Sequence, residues 1–374
     1  MPVNRAAWQP PNHGALQIAP APYTQPRDNE IVVKNHAVAI NPLDWILQCA
    51  GNIFFPWIKY PFILGSDLAG EVVEVGHGVS RFKVGDRVLA HAAGTEKSRN
   101  RGAEGAFQQY TVVLTQMAAP IPPDLSYESA CVLPLGISTA ACGLFQRDQL
   151  GLDPPSTPRR AKSESVVIWG GSTSVGMNAI QLAVAAGYDV IATSSPRNFE
   201  YLRRLGASHV FNYASLTAID DVTECLHGKT VAGALAIGEG AADACLRVLR
   251  SCEGKKFVSM TSFPMSFQTM KRGTNILFHF VRKMPRVTAH VISLFLKSRL
   301  WRIRTKAVFA TSILHNEVSK LIYEEFLPGA LCEGEYIAAP EPQVTGEGLD
   351  AIQTALDIQK QGVSASKIVV THLN

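Results

Sequence analysis

The stretch that decides the fold is Ser165–Ala183, which reads SVVIWGGSTSVGMNAIQLA. Its first five residues form a nearly continuous apolar run, which is typical of a strand buried on both faces of a parallel sheet. A glycine-rich turn, GGSTSVG, follows at Gly170–Gly176, and residues from Val175 to Ala186 are apolar at helical spacing. A strand, a tight turn and a helix in this order predict the start of a βαβ unit.

The turn carries the residues needed to bind a phosphate group. Gly170 and Gly171 permit a tight turn, and Gly176 permits the helix to approach the strand closely. Backbone N–H groups at the helix N-terminus, where the helix dipole is positive, can then hold a pyrophosphate. The spacing is not the strict G-x-G-x-x-G fingerprint, but its place between a strand and a helix predicts a dinucleotide site. The predicted contacts are Gly170, Gly171, Ser172, Thr173, Ser174, Val175 and Gly176.

The alternation of strand and helix continues beyond this unit. The predicted strands are Asp189–Thr193, His209–Phe211, Gly233–Ile237 and Lys256–Met260, and the predicted helices are Phe199–Leu205, Ala218–Leu226 and Ala241–Leu249. Repeated βα units imply a parallel sheet with right-handed crossovers. The predicted fold class of this region is therefore α/β, with a doubly wound parallel sheet.

The residues at the end of the predicted strand Asp189–Thr193 indicate which dinucleotide is bound. An NAD site usually places an Asp or Glu there, on the ribose 2′-hydroxyl, whereas Thr193–Asn198 reads TSSPRN and contains no acid. Hydroxyl groups and an arginine suit a 2′-phosphate, because a guanidinium makes forked, charge-assisted hydrogen bonds. The alternative is that Arg197 is only solvated beside a turn. We predict NADP(H), bound by Ser194, Ser195, Pro196, Arg197 and Asn198.

A different pattern precedes residue 130. Glu30–Ala39, Gly70–Val75 and Arg87–Ala90 alternate as short strands separated by Gly, Asp and Pro. Spaced strands with long loops predict an antiparallel, barrel-like first domain. Near the other end of the chain, Leu349–Lys360 is a predicted helix and Lys367–Val370 a predicted strand. One strand is too little for a new domain, so we expect it to return to the first one.

Composition excludes several classes of protein. In 374 residues, hydrophobic residues make up 47% and charged residues 18%, which excludes a disordered chain. No apolar run reaches the ~18 residues of a membrane span, and Met1–Pro11 lacks the pattern of a secretion signal, so we predict a cytoplasmic protein.

Seven scattered cysteines without a C-x-x-C pair predict reduced packing residues. The net charge of +4 reflects one segment, Met265–Asn316, with ten Lys/Arg and no acid, so we predict no nucleic-acid binding by the whole chain.

Further motifs occur in order along the chain: AINPLD at 39–44, PFILGSDLAG at 61–70, GDRV at 85–88, GAFQQY at 105–110, LPLGISTA at 133–140 and the segment 348–370. With the glycine-rich turn, they resemble the medium-chain dehydrogenase/reductase superfamily. Within it they are most similar to the zinc-independent branch that holds quinone oxidoreductases and fungal trans-acting enoyl reductases. The resemblance implies a GroES-like catalytic domain at 1–134, completed by 335–374. It also implies a Rossmann NADP-binding domain at 135–334, with a basic insertion at about 265–306.

The resemblance further implies site residues. Those expected around the nicotinamide are Asp44, Trp45, Ile46, Leu47, Gly238, Met260, Thr261, Val363 and Ser364. Tyr213 is expected beside the 2′-phosphate, and a half-buried aromatic after a strand is the alternative for it. The expected substrate wall is Pro134, Leu135, Gly136, Ile137, Ser138, Thr139, Ala140 and Ala141.

The ligands of a catalytic zinc are missing where zinc-dependent relatives carry them. Val38 and Ala39 stand in the segment of a ligand Cys, and Ser66 and Asp67 replace a His-Glu pair, so we predict no metal. Without a Lewis acid, hydride addition to the C=C bond of an α,β-unsaturated carbonyl is favoured. The candidates are Asn41, Ser138 and Thr139 as donors to an enolate, and Tyr60 as a proton donor. Asn41 before Pro42 is otherwise a turn-forming residue.

These residues and the resemblance together predict NADPH-dependent reduction of a small-molecule or carrier-bound enoyl substrate. A polyketide synthase is a candidate partner, and the resemblance suggests a monomer or homodimer. Quinone reduction and a non-catalytic, cofactor-binding partner protein are the alternatives. Ile46 motivates the latter, because fungal enoyl reductases commonly carry a Lys at this position.

The basic segment 265–306 is longer than in the simplest relatives. Apolar residues such as Ile276, Phe280, Ile292 and Phe295 stand there among Lys and Arg, and we expect Pro285 to break any single long helix. A substrate-channel lid or dimer edge is the favoured interpretation. A membrane-surface patch and a docking face for a carrier or synthase domain are the alternatives.

Overall fold

The computed structural model of the chain describes residues 2–156, 159–262, 267–270, 272 and 276–373. The side chains of Asn52 and of residues 276–283 are not described. Parts of the predicted basic insertion, namely residues 265–266, 271 and 273–275, therefore lie outside the described residues, as do the side chains of Ile276 and Phe280.

The strands, in chain order, are β1 (Asn4–Gln9), β2 (Gln17–Ala21), β3 (Glu30–Ala39), β4 (Phe62–Ile63), β5 (Asp67–Val75), β6 (Arg87–His91), β7 (Tyr110–Leu114), β8 (Ala118–Pro120), β9 (Glu164–Trp169), β10 (Asp189–Ser194), β11 (His209–Asn212), β12 (Thr230–Ala236), β13 (Glu253–Gly254), β14 (Phe257–Met260), β15 (Arg304–Ala307), β16 (Glu341–Glu347) and β17 (Ser366–Thr371). The helices are α1 (Pro42–Phe54), α2 (Tyr127–Ala130), α3 (Pro134–Phe145), α4 (Ser174–Ala185), α5 (Phe199–Arg204), α6 (Ala218–Cys225), α7 (Ala241–Ser251), α8 (Ile276–Leu300), α9 (Val318–Lys320), α10 (Leu327–Cys332) and α11 (Ala351–Gln361). A π-helical segment, Leu321–Phe326, joins α9 to α10.

The chain divides into two compact units. The first holds Met1–Leu135, Phe267–His279 and Ser319–Asn374, and the second holds Gly136–Ser266 and Phe280–Val318. The segment 319–334, which the sequence placed in the nucleotide-binding domain, belongs to the first unit. There the buried Tyr323 hydroxyl donates to the Pro134 carbonyl.

The second unit is built on the parallel sheet that the sequence predicted. Its strand order is β11-β10-β9-β12-β14-β15, every neighbouring pair is parallel, and β13 lies beside β12. This is the order 3-2-1-4-5-6 of a doubly wound fold, in which ligands bind beyond the carboxyl ends of the strands. The apolar run of β9 is fully buried at Val166, Val167 and Ile168. The predicted α/β class is confirmed.

The first unit is built on a largely antiparallel sheet. The strand order is β16-β17-β3-β5-β6-β8 with β7 beside β3, and β2-β1-β4 form a smaller sheet. The predicted strand Glu30–Ala39 is β3. Val370 of β17 pairs antiparallel with Val38 of β3, so the last strand returns to the first sheet as predicted.

Two further expectations concern α8 and the cysteines. The expectation that Pro285 breaks a long helix is wrong, because α8 continues through it. Proline removes a single backbone hydrogen bond, and the bonds on either side can hold a helix through a local bend. The seven cysteines are free, and six of them are buried or half-buried as packing residues, whereas Cys332 is exposed, so the expectation of a packing residue is wrong there.

One segment meets the length and hydropathy of a membrane-spanning helix. It is Tyr127–Phe145, which covers α2 and α3, but 83% of its most apolar window is buried inside the fold. Burial of this extent is what a core helix shows.

Candidate functional site

The glycine-rich turn has a backbone that only glycine fits. Gly170 has a φ of +92°, and a Cβ there would lie 2.4 Å from the Ile237 carbonyl oxygen. A Cβ on Gly176 would lie 2.3 Å from the Gly170 carbonyl oxygen. Both contacts are with backbone atoms, which cannot move aside independently, so these two glycines are required by the shape of the turn.

The N-terminus of α4 offers donors suited to an anion. Thr173 is the N-cap, and its Oγ1 accepts from the Gly176 N–H at 3.0 Å and donates to the Gly170 carbonyl at 2.9 Å. The Ser174 hydroxyl is buried and has no partner among the described residues. Remaining N–H groups of the first turn have no acceptor within the helix. A buried, unpartnered hydroxyl beside these N–H groups fits a phosphate.

The residues predicted for the 2′-phosphate lie together at the ends of β10 and β11. The Tyr213 N–H donates to the Ser194 carbonyl at 3.4 Å. Ser194 is fully buried and its hydroxyl donates to the Ser195 carbonyl at 2.9 Å, whereas Pro196 and Arg197 are exposed and Tyr213 is 51% exposed. Arg197 and Tyr213 are therefore the most exposed hydrogen-bonding side chains of this set, and Ser195 is half-buried. Asn198 is buried.

The strands β12 and β14 bring further predicted residues to the same edge of the sheet. Gly238 follows β12 with a φ of +105°, and nothing lies within 4 Å of where its Cβ would be. The Gly238 N–H donates to the Ser262 hydroxyl at 2.7 Å, and the Thr261 N–H, next to Met260, donates to the Ala236 carbonyl at 3.0 Å. This open edge lies at the carboxyl ends of parallel strands, where a doubly wound sheet binds its ligand.

The predicted substrate wall begins α3. Ser138 is fully buried and Thr139 nearly so. A Cβ on Gly136 would lie 2.5 Å from the Ser174 Oγ, so within the second unit this helix passes directly beside the phosphate-binding turn.

The residues predicted on α1 are all buried in the first unit. Asp44, Trp45, Ile46 and Leu47 are at most 6% exposed. The Trp45 Nε1–H donates to Gln359 at 2.5 Å, and the Lys360 ammonium lies 5.5 Å from the Trp45 ring. Gln359 and Lys360 stand at the end of α11, just before the predicted residues Val363 and Ser364. The structure thus connects the two predicted segments through a pair that the sequence analysis did not identify.

A buried polar cluster surrounds Asn41. Its Nδ2–H donates to Asp67 at 2.9 Å and its Oδ1 accepts from Lys367 at 2.5 Å. Lys367 lies 3.0 Å from Asp67, which also accepts from the Leu135 N–H at 2.6 Å. Asp44 accepts from the Asn41 N–H at 2.7 Å and so caps α1. The Asn41 amide is bonded within the protein, in the manner of a structural residue.

Burial shifts two pKa values beside this cluster in opposite directions. Burial raises the pKa of Asp44 to about 7, and the negative charge of Asp67 raises it further. The hydrogen bond from the Asn41 N–H lowers the same pKa, but its effect is smaller than that of burial. Burial lowers the pKa of His91 to about 4. Both shifts therefore favour the uncharged form of the side chain. The sequence did not predict Asp67, His91 and Lys367 as site residues, although Asp67 lies within the motif PFILGSDLAG at 61–70.

Tyr60 has a buried neighbour that the sequence analysis also missed. The Tyr60 hydroxyl and the His13 Nε2 are both buried without a partner among the described residues, and the two rings meet edge to face at 4.8 Å. The His13 Nδ1 lies 3.1 Å from the Gln48 carbonyl, which can only accept, so Nδ1 carries a proton. Burial raises the pKa of Tyr60 to about 12.

Over the part of the chain that is described, no group of three or more His, Cys, Asp or Glu side chains could hold a metal ion.

Comparisons with known proteins agree with this architecture. Two family models match: the alcohol dehydrogenase GroES-like domain over residues 27–123 and the zinc-binding dehydrogenase domain over residues 174–274. Dehydrogenase pigH of Monascus ruber is 52% identical, covering 99% of this chain and 100% of its own. Trans-enoyl reductase himH of Aspergillus japonicus is 35% identical, covering 98% of this chain and 97% of its own.

A solved structure shares the fold over its full length. It is an alcohol dehydrogenase superfamily protein from Novosphingobium aromaticivorans, with a TM-score of 0.73 at 25% identity, covering 98% of this chain and 99% of that chain. The chain therefore belongs to the medium-chain dehydrogenase/reductase superfamily of pyridine-nucleotide oxidoreductases, with a GroES-like and a Rossmann-like part.

Proposed function

We propose that this protein is an NADPH-dependent reductase of the C=C bond in α,β-unsaturated carbonyl compounds, and that it works without a metal. The observation that carries the choice of cofactor is the acid-free end of β10, where Arg197 and Tyr213 are exposed. The 35% identity to a trans-enoyl reductase supports the enoyl substrate. We further infer a carrier-bound substrate, delivered by a polyketide synthase in the cytoplasm.

The second unit supplies the groups that hold the dinucleotide. The N–H groups of the first turn of α4 and the Ser174 hydroxyl hold the pyrophosphate, and Arg197 binds the 2′-phosphate through a charge-assisted fork. Gly238, which has open space at its Cβ position, leaves room along the sheet edge. When bound, the reduced nicotinamide supplies a hydride to the substrate carbon.

The absence of a metal requirement rests on the chemistry of Asp67. Its oxygens accept from the Asn41 amide, the Leu135 N–H and the Lys367 ammonium. These donors occupy three of the about four lone-pair sites of the carboxylate and one of them balances its charge, so the residues present hold Asp67 as a structural group rather than as a metal ligand. We therefore assign Asn41 and Asp67 to positioning α1 and the start of α3, and we leave the stabilisation of an enolate to Ser138, Thr139 and backbone N–H groups.

Tyr60 is the proposed proton donor. Because burial raises the pKa of Tyr60 to about 12, its hydroxyl keeps the proton throughout the neutral range. That hydroxyl is buried and has no partner among the described residues, so its proton is not committed to another group, and we assign it to the substrate α-carbon.

Initial rates with purified protein test the proposal. We expect oxidation of NADPH with an enoyl thioester, a lower rate with a quinone, and little rate with NADH. Turnover of quinones alone would assign quinone reduction instead. Tight NADPH binding without turnover of any acceptor would assign the non-catalytic, cofactor-binding role.

Cofactor choice is tested at Arg197. Loss of a charge-assisted hydrogen bond, worth about 1.5–3 kcal/mol, predicts that Arg197→Ala raises the KM for NADPH about 10- to 100-fold and leaves the KM for NADH unchanged. Arg204→Ala is the matched control, since Arg204 is exposed on α5 and lies over the Tyr201 ring. Equal effects on both cofactors would refute NADPH selection by Arg197.

A further inference from the structure

One face of α8 is fixed to the second unit. Leu294 and Trp301, which follows the helix, pack against the apolar core that includes Leu246 and Val248. The Lys297 ammonium pairs with Asp243 of α7. These contacts define the inner side of the helix.

The opposite face of α8 is apolar and exposed to solvent. Its large side chains are Met284, Val291, Ile292, Phe295, Leu296 and Leu300, between 42% and 79% exposed. At about 100° per residue they span about half of the helix circumference, centred opposite Leu294 and Trp301. We call these six residues the outer face. An amphipathic helix normally turns its apolar side inward, so this arrangement is reversed, and clustered exposed apolar side chains of this kind mark an interaction site.

Arginine side chains without a carboxylate partner among the described residues lie on or near the outer face. Arg286, Arg299 and Arg302 are exposed and have no carboxylate within 4 Å among the described residues, and the Arg299 guanidinium lies over the Phe295 ring at 5.9 Å. The segment Met265–Asn316 has no acidic residue. By contrast, Lys297 and Lys306 pair with Asp243 and Asp148.

We propose that the outer face of α8 docks on an anionic phospholipid surface. Arg299 lies within the outer face, and Arg286 and Arg302 flank it. Apolar side chains and cations placed together in this way satisfy both parts of such a surface, the acyl boundary and the anionic headgroups. A second copy of the chain fits less well, because a two-fold contact would bring two sets of the same arginines into one interface to which the segment Met265–Asn316 contributes no acidic residue. Lipid binding is independent of the reductase activity proposed above.

Sedimentation of the full chain with vesicles tests this docking. With phosphatidylcholine vesicles containing about 30% phosphatidylserine, we expect the protein to pellet at ~0.1 M NaCl and to be released at ~0.5 M NaCl. Pure phosphatidylcholine vesicles should retain at least tenfold less, because the attraction of the basic residues to anionic headgroups is lost. Equal binding to both vesicles, or to neither, would overturn the proposal.

Variants locate the contact. Phe295→Ser/Leu296→Ser and Arg286→Glu/Arg299→Glu should each weaken vesicle binding about tenfold or more. Val84→Ser/Leu216→Ser, which changes exposed apolar residues elsewhere, should bind as wild type. All variants should keep the melting temperature and the reductase rate in solution, because these side chains are exposed. Unchanged vesicle binding by the α8 variants would refute the assignment.

Two other occupants give distinct results. Concentration-dependent dimerisation that is lost in Phe295→Ser/Leu296→Ser, without vesicle binding, would assign the face to a second copy. Binding of an acidic carrier domain that these variants abolish, again without vesicle binding, would assign it to a protein. Either result overturns the lipid proposal.

Discussion

Lys367 Nζ lies 3.0 Å from Asp67 Oδ2, and these side chains are only 5% and 0% exposed. The ion pair joins β17, the last strand of the chain, to the first residue of β5. Removing two charges from water costs several kcal/mol per ion unless hydrogen bonds satisfy both partners. The Asn41 amide and the Leu135 N–H complete that requirement, so the closing strand helps to complete the polar centre of the first unit.

Lys367→Met should be strongly destabilising. It leaves the Asp67 carboxylate buried without its cation, and breaking a buried pair from one side costs about 3–5 kcal/mol. Urea unfolding measures the loss. Lys306→Met is the matched control, because the Lys306–Asp148 pair is about half exposed and such pairs contribute at most about 1 kcal/mol. Adding Asp67→Asn to Lys367→Met should recover part of the loss. Similar costs for Lys306→Met and Lys367→Met would contradict this account.

Asp44 and His91 should give pH dependences of opposite sign. Burial raises the pKa of Asp44 to about 7, so its contribution to stability is present below its usual pKa of about 3.9 and is lost as pH rises through 7. Burial lowers the pKa of His91 to about 4, so its contribution is present above about pH 6.5 and is lost as pH falls through 4.

Replacing either residue removes its own pH-dependent contribution, which is then the difference in stability from wild type. Relative to wild type, Asp44→Asn should be more stable at pH ~7.5 than at pH ~4.5, and His91→Gln should be more stable at pH ~4.5 than at pH ~7.5. Chemical unfolding at both pH values measures the two differences. If both variants shift in the same direction with pH, the proposed burial of two near-neutral groups is wrong.

The parallel sheet could be predicted from sequence because its signals are local. The run Ser165–Trp169 and the turn after it lie in consecutive residues, and β9 and β10 begin or end within one residue of the predicted strands. Strand β3 was predicted at its observed bounds. Apolar alternation and glycine positions follow from backbone geometry alone, so one sequence is sufficient to locate them.

The buried polar groups could not be predicted in this way. Asp67 and Lys367 meet only because β17 returns to β3, and His13 meets Tyr60 across a loop and the end of α1. No periodicity marks such pairs, because their partners are far apart in sequence. The continuity of α8 through Pro285 was missed for a related reason, since local propensity is overridden by the packing of Leu294 and Trp301.

Gly176→Ala should disable the phosphate-binding turn. Its Cβ would lie 2.3 Å from the Gly170 carbonyl oxygen and 2.7 Å from the Gly171 Cα, so the start of α4 must move away from β9. We expect cofactor affinity to fall at least tenfold, as one or more phosphate contacts are lost. Gly329→Ala on α10 is the control, because nothing lies within 4 Å of its Cβ position. Unchanged NADPH affinity in Gly176→Ala, measured by fluorescence titration, would place the dinucleotide elsewhere.

Because Tyr60 packs against Gly51, variants of these two residues can separate the loss of the proposed proton donor from a general loss of structure. A Cβ on Gly51 would lie 1.9 Å from the Tyr60 hydroxyl oxygen and 3.1 Å from its Cζ, so Gly51→Ala must displace the hydroxyl. If Tyr60 donates the proton, Tyr60→Phe should lower kcat at least about 100-fold while NADPH affinity is kept, and Gly51→Ala should lower kcat through the same group. In the Tyr60→Phe background, where the clashing oxygen is absent, Gly51→Ala should add little, so the two effects are not additive. Tyr110→Phe is the control for loss of a tyrosine hydroxyl in the same unit. Additive losses, or an unchanged kcat in Tyr60→Phe, would exclude Tyr60 as the proton donor.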